Sequence, residues 1–307
     1  MNTQRHPLWW TTLGVVLGVF LSYNFFQVRH NPIYKRQNGE GVLKFGNPGP
    51  INDLFERHAY AVSYNRRDRI PYWVGEHLTV ENLQRGDGVS RDRSRFKEDR
   101  ELPEMFRASP RDYTGSGYDR GHMAPAADAV ATQTEMDETF LMSNIAPQVG
   151  PGFNRNYWAF LEQFCRDITH NFTDVYVYSG PLFLPKVNQN THALGETGIR
   201  FDGRGIMSEE IVGATKLKYK MTYDMIGTNG PNVAVPTHFF KVLLALKDGQ
   251  YLSGAFVLPN QAINRNVPLT QFQVDLRAIE RASGLQFFQE LDRRNFLNLC
   301  DHILCSV

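Results

Sequence analysis

The residues best suited to chemistry in this 307-residue chain lie in two stretches, of which the first is DRGHMAP at 119–125. Its histidine, His122, sits beside a glycine in a bend with little helical character, and such a setting predicts a side chain that faces a cleft. An imidazole with an ordinary pKa near ~6.5 can take a proton from water at neutral pH. A single histidine more often serves packing or hydrogen bonding. The stretch therefore makes His122 a candidate general base that needs support from elsewhere in the chain.

The second stretch supplies that support, because SNIAPQ at 143–148 is followed by GFNRNYW at 152–158 and then by Leu-Glu. Asn154 lies where a helix is predicted to begin. As a helix N-cap, its side-chain oxygen would accept hydrogen bonds from free backbone amides. As a metal ligand, the same oxygen would suit Mg²⁺, which takes few protein ligands when phosphate and water supply the rest. Glu162 follows two helical turns later and returns toward the same side. The residues alone leave both interpretations of Asn154 open.

Binding of a phosphodiester would require cations near these groups. Basic side chains alternate with other residues at 91–97, and an extended backbone would place them on one face; they are Arg91, Arg93, Arg95 and Lys97. Acidic neighbours such as Asp92 favour a solvated charged strand instead. We select Arg93 from this run and Arg120 from DRGH as candidate active-site cations. The spacing does not separate Arg93 from Arg91 or Arg95, and Arg120 could instead pair with a nearby acid.

Short β-rich runs and amphipathic helices must position these groups. The predicted strands are bounded by Gly, Pro or Asn and lie at 59–64, 72–78, 175–178, 217–225, 233–246 and 251–258. A further extended segment at 113–118 leads into DRGH. Apolar residues recur with helical spacing near Met136, along 157–168 and at 276–282. Strands and helices occur in mixed order without a repeating period, which predicts an α+β fold with a mostly antiparallel sheet flanked by helices.

The composition sets limits on the class of protein. Hydrophobic residues make up 42% of the chain, which excludes wholesale disorder and allows a sizeable core. The 3 cysteines are too few for a disulfide scaffold, so we expect a reducing or unstapled setting. With 33 basic and 32 acidic residues the net charge is +1, and no overall field attracts a polyanion. Any binding to phosphates must therefore come from local clusters.

The N-terminal segment differs in character from the rest of the chain. Residues 8–26 form an apolar run flanked by aromatic rings, long enough to reach across most of a hydrocarbon core, and no acidic residue precedes Glu40. We expect a membrane anchor here; a buried core helix or a cleaved secretory signal is the alternative, and an acid-free leader also suits import into mitochondria. A polar linker follows. These features predict a targeting and anchor segment at 1–44 and a folded domain at 45–307.

DRGHMAP, SNIAPQ and FNRNYW followed by LE resemble the DNA/RNA non-specific endonuclease family of the ββα-metal class, and its mitochondrial members most of all. The likeness runs from about Lys44 to about Phe288 and includes FGNPGP, YWVGEHLT, SGPLFLP, VAVPTHFFK and FVLPN. These ordered motifs cover nearly all of the chain beyond the leader. The resemblance implies the ββα-metal nuclease fold and a homodimer. Combined with the leader, it also implies a place in the mitochondrial inner membrane.

The resemblance also implies roles for particular residues. By motif position, His122 would be the general base and Asn154 the direct protein ligand of a single Mg²⁺ or Mn²⁺, while Asn144 and Glu162 would support them. One arginine near 91–95 would belong to the site. Family members cut DNA and RNA and leave 5′-phosphate and 3′-hydroxyl ends. The sequence contains no zinc finger, homeodomain or aromatic RNA-recognition pattern, which indicates weak base selectivity. No acidic cluster suited to a two-metal mechanism is present at this site.

The sequence leaves two alternative functions open. A nuclease-like module that binds nucleic acid or a partner without cleavage would need a broken site, whereas the motifs are intact. A secreted scavenging nuclease would need a cleaved leader.

Other histidines and cysteines are expected to be structural. His77 and His238 lie in apolar β-rich runs and are expected to be core histidines, and Cys165 is expected in the core. The C-terminal segment 300–305 lacks the paired ligand spacing of a structural zinc site.

Overall fold

The computed structural model describes residues 51–187 and 218–306. The strands are β1 (Asp53–Glu56), β2 (Tyr60–Asn65), β3 (Ile70–Leu78), β4 (Tyr118–His122), β5 (Ile145–Val149), β6 (Asp174–Leu182), β7 (Lys186–Val187), β8 (Tyr219–Lys220), β9 (Met225–Ile226), β10 (Val233–Ala234), β11 (His238–Lys247), β12 (Gln250–Pro259) and β13 (Leu297–Asn298). The α-helices are α1 (Gln133–Thr139), α2 (Ala159–Asp167) and α3 (Leu276–Ser283), and a kinked helical segment, Gly150–Trp158, leads into α2. Short 3-10 turns lie at Arg91–Arg93, Glu104–Phe106, Pro110–Tyr113, Met142–Asn144, Ile168–His170, Leu269–Phe272, Arg293–Asn295 and Leu299–Asp301.

A seven-stranded sheet, in the order β1-β2-β3-β6-β11-β12-β13, forms the centre of the fold. Its pairs are antiparallel except β12 with β13, which is parallel. Side chains alternate along a strand, so β11 sends Phe239 and Leu243 to one face and Phe240 and Val242 to the other. All four are buried, which explains why this strand is an almost continuous apolar run. The predicted α+β fold with a mostly antiparallel sheet is confirmed.

Helices cover both faces of this sheet. On one face α2 and the residue before it bury Trp158, Leu161 and Cys165 in the same core cluster as Phe239. On the other face α3 contributes Ile279 to a second cluster. The prediction that Cys165 belongs to the core is confirmed, since only 1% of its surface is exposed. The helical periodicity at 157–168 and 276–282 therefore identified the two helices that sandwich the sheet.

Two β-rich runs are interrupted in the structure. Among the described residues of the run 217–225 only the short β8 and the first residue of β9 are strand, and residue 217 lies outside the described ranges. The run 233–246 is divided into β10 and β11 around Pro236, which has no N–H to donate to a ladder. Only Tyr118 of the expected extended segment at 113–118 is strand; the chain before it turns, because Gly115 and Gly117 adopt left-handed φ values of 71° and 83°.

The remaining histidine and cysteine predictions need correction. His77 is not in the core: its side chain is 45% exposed, its Nε2 lies 2.8 Å from Asp174 Oδ1, and its ring stacks on Tyr176. His238 is half-buried and hydrogen-bonds Thr237. A Cys300–Cys305 disulfide closes a short C-terminal loop, contrary to the expected unstapled chain. Three cysteines are too few for a scaffold of several disulfides, but a local turn brings two of them, Cys300 and Cys305, together.

The expected leader, anchor and linker at 1–44 lie outside the described residues. Within the described ranges, no helix has both the length and the apolar character that crossing a bilayer requires. The described residues from Asn52 onward belong to one compact unit, and the expected boundary between 44 and 45 lies before them.

Candidate active site

A pair of short antiparallel strands carries His122. Strand β4 ends at this residue and pairs with β5 in antiparallel register, so that His122 lies opposite Ile145 and Gly121 opposite Ala146. At Gly121 an added Cβ would lie 2.0 Å from Gln148 Oε1, so only glycine allows the two strands to pack in this way. DRGH is therefore a strand rather than the expected bend. With the following α2, the two strands make a β-β-α unit, and its contacts run through the segment Gly150–Trp158.

The chain just after His122 is held in place by Asn144. The Asn144 side chain is fully buried; its Oδ1 accepts from Ala124 N at 2.9 Å, and its Nδ2 donates to Ala124 O at 2.9 Å and to Thr139 O at 2.8 Å. Met123 N also donates to Asn144 O at 3.0 Å. Both amide hydrogens and the amide oxygen thus join the chain after His122 to its surroundings. Asn144 does not line the cavity described below, and its position is that of a residue that orients His122.

The His122 ring sits in an apolar setting. Only 8% of the residue is exposed, and its ring centroid lies 4.9 Å from that of Phe140 and 5.3 Å from that of Phe96. Burial, and then the nearby Arg91 charge, lower the pKa of His122 to about 3. Its Nε2 is buried and has no hydrogen-bond partner among the described residues. At neutral pH this imidazole is therefore uncharged and able to accept a proton.

Asn154 is oriented by the aspartate of the DRGH motif. Asn154 Nδ2 donates to Asp119 Oδ2 at 2.9 Å, and Arg155 donates to the same carboxylate from Nε at 2.7 Å and Nη2 at 2.6 Å. The bonds from Arg155 and Asn154 hold the pKa of Asp119 below its ordinary range. An ionised carboxylate only accepts hydrogen bonds, so the amide nitrogen must face it. Asn154 Oδ1 is consequently turned away, and no hydrogen bond from the described residues occupies it.

The interpretation of Asn154 as a helix N-cap is not supported by these contacts. The amide oxygen that accepts from a backbone N–H at the start of this segment is that of Asn156, which lies 2.8 Å from Gly152 N. Gly152 itself has a left-handed φ of 79°, which turns the chain into the helix. The turn leaves Asn154 free to meet Asp119 rather than its own backbone.

Residues from three stretches of the chain line one cavity of about 240 Å³. Its lining residues are Arg91, Arg120, His122, Pro125, Ala126, Asn154, Arg155, Ala159 and Glu162. The structure therefore brings together the predicted His122, Asn154, Glu162 and Arg120. Arg120 is anchored by donation from Nη2 to Pro110 O at 3.0 Å. Arg93 and Asn144 are not among the lining residues.

Among the basic residues at 91–97, the structure places Arg91 rather than Arg93 at the cavity. Residues Arg91–Arg93 form a 3-10 turn rather than an extended strand, and Ser90 caps it by accepting from Asp92 N. Arg91 lines the cavity, with its Cζ 5.2 Å from the Phe140 ring centroid. Arg93 instead donates from Nη2 to Gln133 Oε1 at 2.8 Å and to Gly88 O. The tight turn rotates successive side chains away from the single face that a strand would give them.

Glu162 enters the cavity from the first turn of α2. Burial raises the pKa of Glu162 to about 7, although the cations of Lys241 and Arg166 act in the opposite direction. Within the described ranges, no three His, Cys, Asp or Glu side chains are grouped closely enough to hold a metal ion by themselves. The sulfurs of Cys300 and Cys305 are joined to each other rather than free to bind zinc.

Sequence reasoning missed two residues of this site, Asp119 and Arg155. Both belong to the motifs described above: Asp119 precedes His122 in DRGHMAP, and Arg155 directly follows Asn154. A carboxylate in one motif and a cation in the other could have indicated an ion pair between them. That pair joins the two motifs at the cavity, with Arg155 Nη2 2.6 Å from Asp119 Oδ1.

Comparison with known proteins places this geometry among nucleases. The family model described as DNA/RNA non-specific endonuclease matches residues 38–294. A nuclease of Syncephalastrum racemosum is 53% identical over 91% of this chain and 81% of its own length. The mitochondrial nuclease of Saccharomyces cerevisiae is 42% identical over 87% of this chain and 75% of its own length. The solved structure of EndoG in complex with EndoGI matches with a TM-score of 0.69 at 38% identity, covering 83% of this chain and 93% of the other.

Proposed function

Because this chain belongs to the DNA/RNA non-specific endonuclease family, we propose that it hydrolyses phosphodiester bonds of both DNA and RNA with the help of one divalent metal ion. The products would carry 5′-phosphate and 3′-hydroxyl ends. The observation that carries the proposal is the convergence of His122, Asn154 and Glu162 on one cavity together with arginines. These groups come from separate motifs, and a proton acceptor, a hard oxygen donor and fixed positive charge are what this reaction requires.

The residues present fit a Mg²⁺ or Mn²⁺ ion. Asp119 fixes the amide nitrogen of Asn154, so the amide oxygen is oriented without being consumed by a hydrogen bond. Mg²⁺ keeps several waters and binds through few protein oxygens when phosphate supplies others, which suits a site with one neutral oxygen donor. Glu162 lines the same cavity and could accept hydrogen bonds from waters around the ion. When bound, the ion would supply positive charge at the scissile phosphate.

His122 would accept the proton of the attacking water. Its Nε2 is enclosed without a partner, so we assign proton acceptance to Nδ1. Phe96 and Phe140 restrict the ring, and Asn144 fixes the backbone that carries it. This arrangement holds the imidazole in one orientation before the substrate arrives, so no reorganisation is needed during reaction.

Arg91 and Arg120 would bind the non-bridging oxygens of the phosphate. Both line the cavity, and each guanidinium lies over an aromatic ring, Arg91 over Phe140 and Arg120 over Phe96, at 5.2 Å in both cases. Contacts of this kind address the phosphate rather than the base, which supports activity on both nucleic acids with weak base selectivity.

Placement in the cell is part of the same proposal. Relatives named as mitochondrial nucleases from two yeasts are each 42% identical to this chain, and the acid-free leader suits import into mitochondria. We propose a nuclease domain at 45–307 and an anchor in the inner membrane through residues 8–26, supported by the apolar sequence there. A homodimer is proposed from the family resemblance alone.

The purified full-length chain should nick supercoiled plasmid and degrade RNA when Mg²⁺ or Mn²⁺ is present. A chelator should stop both reactions, because Arg91 and Arg120 cannot replace a divalent ion at the Asn154 oxygen. Gel electrophoresis of both substrates, followed by end-group analysis, would measure the activity and its products. Intact plasmid and intact RNA in the presence of either ion would refute the proposal.

Replacing Arg91 by alanine should lower kcat/KM on the order of 10²-fold, because a fixed cation at the reacting phosphate is lost. Arg93 is a matched control, since it is the same residue type two positions along the chain and its side chain is bound to Gln133. Arg93→Ala should change kcat/KM by less than about 3-fold. Steady-state kinetics on a labelled oligonucleotide distinguish the two. A larger loss in the Arg93 variant would restore the choice made from sequence.

A further inference from the structure

A group of ionisable side chains, three of them buried, lies near Glu162, and their charges act on it. We call it the buried charge cluster; its members are Glu76 of β3, Asp128 of the loop after β4, Arg166 of α2 and Lys241 of β11. Glu76, Asp128 and Lys241 are 5%, 7% and 1% exposed. Neither the sequence motifs nor the proposed mechanism gives these residues a role.

The contacts within the cluster are specific. Arg166 Nη1 lies 2.6 Å from Asp128 Oδ1. Lys241 Nζ donates to Ser179 Oγ at 2.6 Å and lies 4.8 Å from the Trp158 ring centroid. The Glu76 carboxyl hydrogen-bonds Asp128, and its Oε2 has no partner among the described residues. The cluster thus extends from the middle of the sheet to one face of α2.

Helical spacing connects this cluster to the cavity. Trp158, Glu162 and Arg166 are four residues apart, so they lie along one side of the helical segment that ends in α2. Lys241 lies over the ring at one end of this row and Arg166 forms the other end. Both cations are among the charges that act on Glu162. Glu162 therefore lines the open cavity and also lies within range of the Lys241 and Arg166 charges.

Stability alone does not account for such an arrangement. Removing an ammonium from water is costly, and well-packed apolar residues in place of a buried ionic group are often equally or more stable. The neighbours of Lys241 on β11, Phe240 and Val242, show that this strand otherwise carries apolar side chains. The charges balance only in part, since Glu76, Asp128 and Glu162 face two cations. Burial raises the pKa of both Glu76 and Asp128, and the two carboxyl groups share a hydrogen bond.

We propose that Lys241 and Arg166 are positioning residues that hold the Glu162 carboxylate at the cavity, with the Glu76–Asp128 carboxyl pair balancing their charge. The inference rests on the proposed function, because Glu162 matters only if the cavity is the reaction site. A carboxylate attracted from behind by two fixed cations keeps one rotamer, and its outward oxygen can then receive waters in a constant position. Partners of this indirect kind are typically worth 10–100-fold in activity or metal affinity.

The test uses charge-matched variants of the full chain. Glu76→Gln keeps a side chain of the same length whose amide can donate to Asp128; kcat should remain within about 3-fold of wild type. Glu76→Gln/Lys241→Met removes one carboxyl and one cation, so the excess of carboxyl groups is the same as in wild type. This double variant should unfold thermally near the wild-type temperature. Its kcat should nevertheless fall by about 10-fold or more, with KM changed less than about 3-fold.

A second measurement does not depend on turnover. Calorimetric titration of Mn²⁺ into each protein without nucleic acid should show affinity weakened about 10-fold in the double variant and unchanged in Glu76→Gln. A folded double variant with wild-type kcat and Mn²⁺ affinity would overturn the positioning role. If the wild-type chain itself cleaves nothing, the proposed function fails instead, so the two failures are distinct.

If the double variant does not fold, Arg166 decides the question, because its side chain reaches the surface with 17% exposure. Arg166→Lys keeps a cation beside Asp128 and should retain kcat within about 3-fold, while Arg166→Met should lose about 10-fold or more with KM nearly constant. Equal kcat in these two variants would also overturn the proposal.

Discussion

Replacement of His122 by alanine is expected to lower kcat by about 10³-fold, because the reaction loses its positioned proton acceptor. The ring is the only imidazole among the residues that line the cavity within the described part of the chain. Its Nδ1 would no longer be available to the attacking water. Single-turnover cleavage of a labelled oligonucleotide at saturating Mg²⁺ measures the effect on the chemical step rather than on binding.

A matched control for this variant is His77→Ala. His77 is a histidine of the same domain, but it lies exposed on β3 against Asp174 and Tyr176, and it does not line the cavity. Its replacement should leave kcat within about 2-fold of wild type. Retention of more than about a tenth of the wild-type kcat in His122→Ala, with the fold intact by circular dichroism, would remove His122 from the role of base.

The acid stability of a His122→Gln variant provides an independent readout of the same ring. The folded-state pKa, about 3, lies below the ordinary value of 6.5, so the unfolded chain binds the proton more readily. Stability due to this ring is therefore complete above the ordinary value and is lost as pH falls toward the folded one. Between about pH 7.5 and about pH 5 wild type should lose about 2 kcal/mol that His122→Gln does not lose. Urea unfolding at the two pH values measures this difference.

Replacement of Asn154 by alanine is expected to weaken the apparent Mg²⁺ affinity on the order of 10²-fold or more, seen as a higher Mg²⁺ concentration at half-maximal rate. The variant removes the oxygen donor that Asp119 orients, while Asp119 keeps its two bonds from Arg155. The rate at saturating Mg²⁺ should also fall, since the remaining groups do not fix the ion as closely. Rates measured across a Mg²⁺ series provide both quantities.

Asn171→Ala is the control for that experiment. Asn171 is an exposed asparagine after the last turn that follows α2, away from the cavity lining, and its replacement should leave the Mg²⁺ dependence unchanged. An Asn154→Ala variant with the same half-saturating Mg²⁺ concentration as wild type would show that the amide oxygen does not hold the ion.

Much of the fold followed from local patterns. The strands at 72–78 and 251–258 lie within β3 and β12, because their apolar residues bury against neighbouring strands in a way that alternation and composition reveal. The prediction of one strand at 233–246 was wrong at Pro236, because this residue has no N–H for the ladder although apolar residues lie on either side. Periodicity reports burial, whereas the ends of elements depend on single residues.

The candidate site was predictable where motifs place residues and unpredictable where tertiary contacts do. His122, Asn154 and Glu162 were named from their motifs and lie together. Arg91 could not be separated from Arg93, because the turn there depends on the Ser90 cap and on Gln133, which is distant in sequence. Lys241 was invisible for a similar reason: it occurs inside an apolar strand, and only strand pairing places it beside Ser179.

Burial at the cavity lowers the pKa of His122 and raises the pKa of Glu162, which reverses the usual order of a histidine and a glutamate. The imidazole, with its pKa near 3, stays neutral throughout the range found in living cells, while the Glu162 carboxyl, near 7, changes charge within it. A cytoplasm or organelle that drifts by about one unit around neutrality would leave the ring unaffected and alter the carboxyl. Any sensitivity of this site to cellular pH would therefore arise from Glu162 on α2 and not from His122 on β4.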